Sequence, residues 1–196
     1  MIFHRTICRA LALAGMTLAL PVLVTGCFTA LTLQEEPPLV VRPGKAPTVA
    51  LVMSSDDMAI ATIAHNKLQT CLSQRNIFSF VPETKVQSAL AATGANPDGA
   101  FGMQPQVYAA IASQADSQYV LHGVLRIVKS LKLTGWRQDV YSMFYLYNRS
   151  GAFVDEWRSD TIGTFVDPES ELDPYAMVGS VINHTCTKIT QMPALP

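Results

Sequence analysis

Charged residues are scarce in this chain, and those present nearly cancel. Only 15% of the 196 residues are charged, with 14 Lys and Arg against 15 Asp and Glu. No run of Lys or Arg occurs, so the electrostatic pattern of a nucleic-acid-binding protein is missing. The apolar fraction of 49% is too high for an intrinsically disordered chain, and four cysteines are too few for a disulfide-stapled miniature fold. These absences leave about one ordinary globular domain.

Recognisable catalytic and metal-binding motifs are also lacking. The sequence contains neither a G-x-S-x-G nucleophile elbow nor an H-E-x-x-H pair. His184 and Cys186 have no second ligand pair at zinc-like spacing, so a solvated helix histidine is the simpler interpretation. The acidic stretch at residues 167–173 lacks the glycine and the spacing of a calcium loop. The sequence therefore predicts a non-enzyme that needs no cofactor and no metal.

The amino terminus has the pattern of a secretory signal. Arg5 and Arg9 precede an uncharged stretch, residues 10–26, whose strictly apolar part is too short to span a bilayer. This stretch runs into the pentapeptide LVTGC, which ends at Cys27 and resembles a bacterial lipobox. Its small residues suit a cleavage site, and its thiol can carry a lipid. We expect residues 1–26 to be removed and Cys27 to be acylated, with an uncleaved membrane anchor as the alternative.

The lipobox resemblance also implies a location and an organisation. Phe28, rather than Asp, follows the cysteine, which in the sorting logic of lipoproteins implies an outer-membrane anchor facing the periplasm. Loss of two of the 14 basic residues with the signal leaves 12 against 15 acidic ones, a net charge of −3. Residues 27–46, which include several Pro and Glu, are interpreted as a lipidated cysteine and flexible tether, and residues 47–196 as one globular domain.

Apolar periodicity predicts an α/β (α+β) domain with the order β-α-β-α-α-β-β-β-α. We expect one mixed sheet of about five strands with helices packed on it. The predicted strands are residues 48–53, 77–81, 118–133, 140–148 and 152–165. Four helices are predicted. The first begins after residue 57 and ends at residue 75, and the others are residues 83–93, 105–115 and 174 to about 190.

Two cysteines of the mature chain lie on apolar helix stripes. Cys71 falls on the first predicted helix and Cys186 on the last. If the two helices pack side by side, an exported protein can join these thiols in a disulfide. The alternative is two separate buried thiols.

Alternation along the third and fourth predicted strands separates an apolar face from a mixed one. The apolar face is expected to carry the helices. The mixed face carries six residues of interest: His122, Arg126, Tyr141, Met143, Tyr145 and Tyr147. Tyr, Met and Arg are enriched where proteins bind proteins, so these residues are candidates for a partner surface. Equally, they can lie beneath the third helix or the tether.

Two stretches carry a resemblance to a known group of lipoproteins. They are ADSQYVLHG at residues 115–123 and YLYNRSGAFVDEW at residues 145–157. Together with the order of elements, they resemble the outer-membrane lipoprotein activators of penicillin-binding proteins, which share a fold with curli-secretion lipoproteins and the amino-terminal domain of the Tol-Pal propeller protein. The resemblance covers about residues 47–189.

The resemblance implies a role through protein contact in envelope assembly, either activating a peptidoglycan synthase or assisting secretion. The partners expected are then the membrane, through acylated Cys27, and an envelope protein. The alternative function is an envelope hydrolase acting on cell wall or lipid. It would require a cluster such as His122 with a carboxylate from Asp155 or Asp160 beside a pocket.

The lipid anchor can be tested directly. Cys27→Ser removes the thiol that carries the lipid, so the variant should lose the added acyl mass and shift out of the detergent-dependent membrane fraction. Intact-protein mass spectrometry and envelope fractionation measure both changes. An unchanged mass and an unchanged fractionation would instead identify an uncleaved anchor.

Overall fold

The order of elements along the chain is the one that the apolar periodicity predicts. The computed structural model describes residues 44–98, 103–132, 135–161, 174–193 and 195. Cys27, the signal, the tether up to residue 43 and the acidic stretch at 167–173 lie outside the described residues. The elements are β1 (Thr48–Ser55), α1 (Met58–Gln74), β2 (Ser79–Phe80), α2 (Glu83–Thr93), α3 (Pro105–Ala115), β3 (Tyr119–Lys132), β4 (Gly135–Asn148), β5 (Phe153–Asp160) and α4 (Pro174–Thr190). No helix within these described ranges has the length and apolarity needed to cross a membrane.

The strands form one mixed sheet in the order β2-β1-β3-β4-β5. Strand β1 pairs in parallel with β2 and β3, because helices connect these strands and carry the chain back to the same end of the sheet. Strands β3, β4 and β5 pair antiparallel as two successive hairpins. The predicted single mixed sheet of five strands is confirmed.

Helices lie on both faces of the sheet, whereas the sequence analysis expected them on one. Helices α1 and α4 pack against the buried face of β1, β3, β4 and β5, and α2 and α3 pack on the opposite face around Val52 and Val120. The connection through α1 moves from β1 to the edge strand β2, and the connection through α2 and α3 moves back across β1 to β3. Because parallel crossovers are right-handed, this reversal of direction places the two connections on opposite faces.

Strand boundaries differ from the predicted ones where polar residues continue a ladder. Strand β4 begins at Gly135 rather than at residue 140, since residues 135–139 pair with residues 128–132 of β3. The sequence of this segment has no apolar alternation that would predict a strand. Backbone hydrogen bonds to the other strand of the hairpin hold it in place. Strand β2 is only two residues long, and β5 ends at Asp160 rather than at residue 165. We call residues 126–132 and 135–139 the hairpin arm, because they extend the β3–β4 hairpin past the residues that β1 and β5 pair with.

Gly123 is required where β3 passes Phe144 of β4. A β-carbon at this position would overlap the Phe144 ring and come within 2.8 Å of Met53 Sδ. The pair Gly123 and Phe144 faces α1 and α4, where Phe144 is fully buried. The glycine therefore makes room for a large aromatic side chain at the centre of the core.

A disulfide joins α1 to α4 through Cys71 and Cys186, the pair that the sequence analysis favoured. Their Cα atoms are 6.5 Å apart, and the bond closes a loop with a sequence separation of 115. The Arg75 guanidinium lies 3.4 Å from Cys186 Sγ. Cys186 is thus not available as a metal ligand, and His184 beside it is exposed.

Removing this bond should destabilise the domain strongly. The double variant Cys71→Ala with Cys186→Ala should lose about 4 kcal/mol in the free energy of unfolding, because the bond restricts a long loop of the unfolded chain. Urea denaturation followed by circular dichroism measures the loss, with dithiothreitol-treated wild type as the matched control. Two alkylatable thiols in the native, unreduced protein would contradict the pairing.

Candidate partner-binding face

The predicted partner-surface residues all lie on the sheet face that carries α2 and α3. Residues paired directly in an antiparallel ladder project to the same face, so the register defines the arrangement. From the end covered by α3 outward, the pairs are Val120 with Tyr147, His122 with Tyr145, Val124 with Met143, and Arg126 with Tyr141. The predicted alternation of both strands is confirmed.

Helix α3 covers only the first part of this face. Tyr108 of α3 stacks on Tyr147, with ring centroids 3.7 Å apart and an angle of 12° between the ring planes. The Tyr108 hydroxyl lies 2.7 Å from Nδ1 of His122, whose residue is only 1% exposed. His122 and Tyr147 therefore lie beneath α3, which for these two residues is the alternative that the sequence analysis left open.

The buried hydroxyl of Tyr108 connects α3 with β3. It accepts a hydrogen bond from the Met103 N–H at 3.4 Å and, with a neutral imidazole, donates to His122 Nδ1. His122 Nε2 is buried and makes no hydrogen bond in the described part of the chain. The Pro97 carbonyl nevertheless favours the protonated imidazole, and the Tyr108 hydrogen bond fixes the orientation of the ring.

Burial keeps both groups of this pair neutral. Loss of hydration lowers the pKa of His122 to about 4, against the opposing effects of the Pro97 carbonyl and the Asp98 carboxylate. The positive charge of Arg126 lowers the His122 pKa further. Burial also raises the pKa of Tyr108 well above its ordinary value. The pair is therefore a neutral hydrogen-bonded link and not an activated acid or base at neutral pH.

The Asp98 carboxylate acts on His122 electrostatically, but the two carboxylates that the hydrolase alternative named lie elsewhere. The hydrogen-bond partner of His122 is a phenol. Asp160 pairs with Tyr141, which lies four residues along β4 from Tyr145, the partner of His122, and Asp155 pairs with Leu146 on the opposite face. Within the described ranges there is also no group of three metal-binding side chains. Neither of the two carboxylates that the hydrolase alternative named is therefore paired opposite or next to His122.

Beyond α3 the same face is open. Tyr141, Met143, Tyr145 and Arg126 are all partly exposed there. The Tyr145 hydroxyl lies 3.4 Å from Met143 Sδ, so the two side chains form one continuous surface. Arg126 donates to the Leu125 carbonyl at 3.0 Å and lies 3.6 Å from a carboxylate oxygen of Asp56. We call Arg126, Tyr141, Met143 and Tyr145 the open face.

A charged rim borders the open face on β5. Glu156, Arg158 and Asp160 are exposed and pair with Tyr145, Met143 and Tyr141 respectively. Arg158 forms an exposed ion pair with Glu156 at 3.1 Å, which contributes little to stability. An aromatic and thioether centre bordered by charges is the composition of protein-binding surfaces.

Tyr108 is the residue of this region that the sequence analysis missed. It belongs to the apolar stripe of α3 together with Ile111, Ala112 and Ala115, all of which are buried. Helical spacing could have placed it on the sheet-facing side. No sequence signal names His122 and Tyr147 as its contacts, because that depends on where α3 crosses the strands.

Comparison with known proteins gives likenesses of fold. No protein-family model matches the chain, and no curated protein matches it. One similar solved structure is the LpoB C-terminal domain from Salmonella enterica, with a TM-score of 0.43, 16% identity, and coverage of 63% of this chain and 93% of that chain.

Two further solved structures are similar to the same degree. A PelC dodecamer from Paraburkholderia phytofirmans has a TM-score of 0.44 and 16% identity, covering 76% of this chain and 92% of that chain. Lipoprotein GNA1162 from Neisseria meningitidis has a TM-score of 0.46 and 12% identity, covering 74% of this chain and 99% of that chain. The resemblance expected from the sequence is thus found among solved structures, as a likeness of fold.

The buried histidine predicts a specific acid sensitivity. In the unfolded chain a histidine has a pKa of about 6.5, and in the fold that of His122 is about 4. The folded chain therefore favours the neutral form of His122. This contribution to the free energy of unfolding is complete above about pH 6.5 and is lost as the pH falls toward 4. The loss should be about 3 kcal/mol.

Urea unfolding at pH 7.5 and at pH 4.5 measures this change in wild type and in two variants. His122→Gln, which keeps a hydrogen-bonding side chain, should lose much of the pH dependence. His184→Gln removes an exposed histidine of α4 and should keep the wild-type dependence. Equal pH dependence in all three proteins would contradict the burial effect.

Proposed function

We propose that this chain is an exported, lipid-anchored periplasmic protein that acts by binding another protein in envelope assembly. The anchor would be acylated Cys27 in the outer membrane, on the motif LVTGC. The Cys71–Cys186 disulfide supports this location, because such bonds persist in oxidising compartments. The proposal assigns the protein no catalytic step.

The open face carries the proposal. Helix α3 covers β3 and β4 only as far as His122 and Tyr147, while Tyr141, Met143 and Tyr145 remain partly exposed beyond it. Tyrosine gives large contact areas at a small entropic cost, and methionine adapts to the shape of a partner.

For the partner we propose a peptidoglycan synthase. The support is the resemblance of residues 115–123 and 145–157 to the lipoprotein activators of penicillin-binding proteins. In the structure the second stretch includes the end of β4, the turn to β5 and most of β5, next to the open face. Activation would then follow from contact, with the open face held rigid by the sheet behind it.

The open face can be tested by removing its centre. Met143→Ala with Tyr145→Ala should reduce recovery of the partner about tenfold, since central aromatic anchors account for most of the binding energy of an interface. Crosslinking in living cells, affinity purification from envelopes and quantitative mass spectrometry measure the recovery. Met58→Ala with Tyr175→Ala is the matched control, because both side chains are large and exposed but belong to α1 and α4, outside the open face.

Circular dichroism must show both double variants folded. Unchanged recovery with the Met143 and Tyr145 variant would show that the face does not bind. Recovery of no envelope protein from wild type, together with a measurable hydrolytic activity of the purified chain, would overturn the proposed function as a whole. Recovery of a secretion component in place of a synthase would overturn the partner class alone.

A further inference from the structure

The Cys71–Cys186 disulfide has one cysteine at the edge of the core and one inside it. Cys186 is 0% exposed and belongs to the core between α1, α4 and the sheet. Cys71 is partly exposed. It lies at the border of the buried stripe of α1, because Leu68 and Leu72 on one side of it are buried, whereas Gln74 on the other side is exposed. In the folded chain a reagent in solution can therefore reach the bond through Cys71 and not through Cys186.

Two basic side chains of α1 flank Cys71. Lys67 lies four residues before it and Arg75 four residues after it, which places the three residues next to one another on one helix face. Both basic side chains reach α4. A β-carbon at Gly179 would lie 3.2 Å from Lys67 Nζ, and the Arg75 guanidinium lies 3.4 Å from Cys186 Sγ. Reactive cysteines are typically found in such partly exposed, positively charged surroundings.

The contact between Arg75 and Cys186 has a larger effect on a thiolate than on the disulfide. A disulfide sulfur is neutral and accepts hydrogen bonds weakly, whereas a thiolate carries a full negative charge. Cys186 lies near the carboxyl end of α4, where the backbone carbonyls disfavour an anion, and burial disfavours it further. The guanidinium, which stays protonated, opposes both effects at the sulfur itself. Arg75 is thus placed to stabilise the reduced form of Cys186.

Other charged groups of α4 and of the strands packed against it are engaged elsewhere. Lys188, two residues after Cys186, donates to a backbone carbonyl of β5, and His184, two residues before it, is exposed. On β5, Asp155 accepts a hydrogen bond from the next backbone N–H at 2.8 Å. A contact of β4 with α4 is made by two neutral hydroxyl groups. Arg75 is therefore the charged side chain that the described structure places on the Cys186 sulfur.

We propose that Cys71 is a site of thiol–disulfide exchange and that Arg75 stabilises Cys186 as the thiolate of this reaction. The reagent is a thiol–disulfide carrier, either a small molecule or a protein. In cleavage, a reagent thiolate attacks Cys71 Sγ. A bond forms between the reagent sulfur and Cys71, the bond to Cys186 breaks, and its electron pair stays on Cys186 as a thiolate beside Arg75.

Formation of the bond follows the same path in reverse. The Cys71 thiolate first displaces one sulfur of the reagent disulfide, which gives a mixed disulfide and one reagent thiolate. The Cys186 thiolate then attacks Cys71 Sγ and expels the second reagent thiolate. The two cysteines are oxidised and the reagent disulfide is reduced, and the reagent thiolates take up protons from water. The inference does not depend on the open face or on its partner.

The exchange is tested with the oxidised full chain, purified in detergent, and reduced glutathione at pH 7.5. Acid quenching followed by peptide mass spectrometry locates the bound glutathione. We expect it on the peptide of residues 68–75, which carries Cys71, at a rate proportional to the glutathione concentration. Glutathione found mainly on Cys186 would overturn the assignment. A rate that does not depend on the glutathione concentration would also overturn it, because the bond would then react only after the chain unfolds.

The role of Arg75 is tested by the same reaction in three variants. Arg75→Gln should slow the exchange about fivefold, because the leaving thiolate loses its cation. Arg75→Lys keeps the charge and should restore most of the rate. The matched control is Arg149→Gln, which removes an exposed arginine paired with Asp116 at 3.4 Å and should react like wild type.

Two results would contradict this role. One is an equal rate in wild type and all three variants. The other is a faster reaction of Arg75→Gln together with a lower free energy of unfolding in urea, since Arg75 would then act only as the residue that ends α1.

The pKa of the Cys186 thiol gives a readout that does not depend on rates. In the variant Cys71→Ser, the ultraviolet absorbance of the thiolate follows the ionisation of Cys186. Addition of Arg75→Gln should raise this pKa by about one unit, because the opposite charge is removed. An unchanged pKa would overturn the role of Arg75. If circular dichroism shows Cys71→Ser unfolded, the exchange rates of the disulfide-bonded proteins decide.

The reagent in living cells is identified with Cys186→Ser, which has no Cys186 thiol to expel it from Cys71. Intact-protein mass spectrometry then distinguishes the two sources, since a small thiol and a protein add different masses, and either agrees with the proposal. A free Cys71 thiol, or a dimer of this chain through Cys71, would overturn it. Recovery of the partner through the open face is a separate measurement, so failure here leaves the proposed function standing.

Discussion

The ladder between β3 and β4 is the constraint on which the rest of the domain depends. It runs without interruption from Tyr119 with Asn148 to Lys132 with Gly135. Because side chains alternate between faces along a strand, this one register sends Leu121, Leu125 and Phe144 into the core and His122 and Tyr145 to the other side. A slip of β3 by one residue would turn His122 and Arg126 toward the core and Leu121 and Leu125 away from it, so the register is strongly specified.

Three environments follow one another along the same ladder. Near its start, α1 and α4 cover one face and α3 the other, so both sides are buried. In the middle, α3 no longer covers the sheet. Tyr141, Met143 and Tyr145 become accessible there, while Phe144 on the opposite face stays fully buried. Past Leu125 the hairpin continues without β1 beside it. The open face is therefore backed by the same hydrogen-bonded strands that hold the core.

Much of this arrangement could be predicted from the sequence, because local patterns determine it. Gly94 marks the end of α2, and Pro105 and Pro174 mark the starts of α3 and α4. Strand alternation then assigns the residues of β3 and β4 to the two faces of the sheet. The alternation of side chains does not predict which helix covers a given face of the sheet, or how many residues of that face the helix covers. His122 and Tyr145 are directly paired, yet one is buried under Tyr108 and the other is accessible. That difference comes from the direction of the crossover through α2 and α3, which is a property of the whole topology.

The disulfide has a consequence for the order in which an exported chain can mature. Cys71 lies in the first helix and Cys186 in the last, and every strand after β1 lies between them in the sequence. A chain that is translocated from its amino terminus must deliver all three antiparallel strands before the second thiol arrives. This pair can therefore be oxidised only after every strand of the sheet has been delivered.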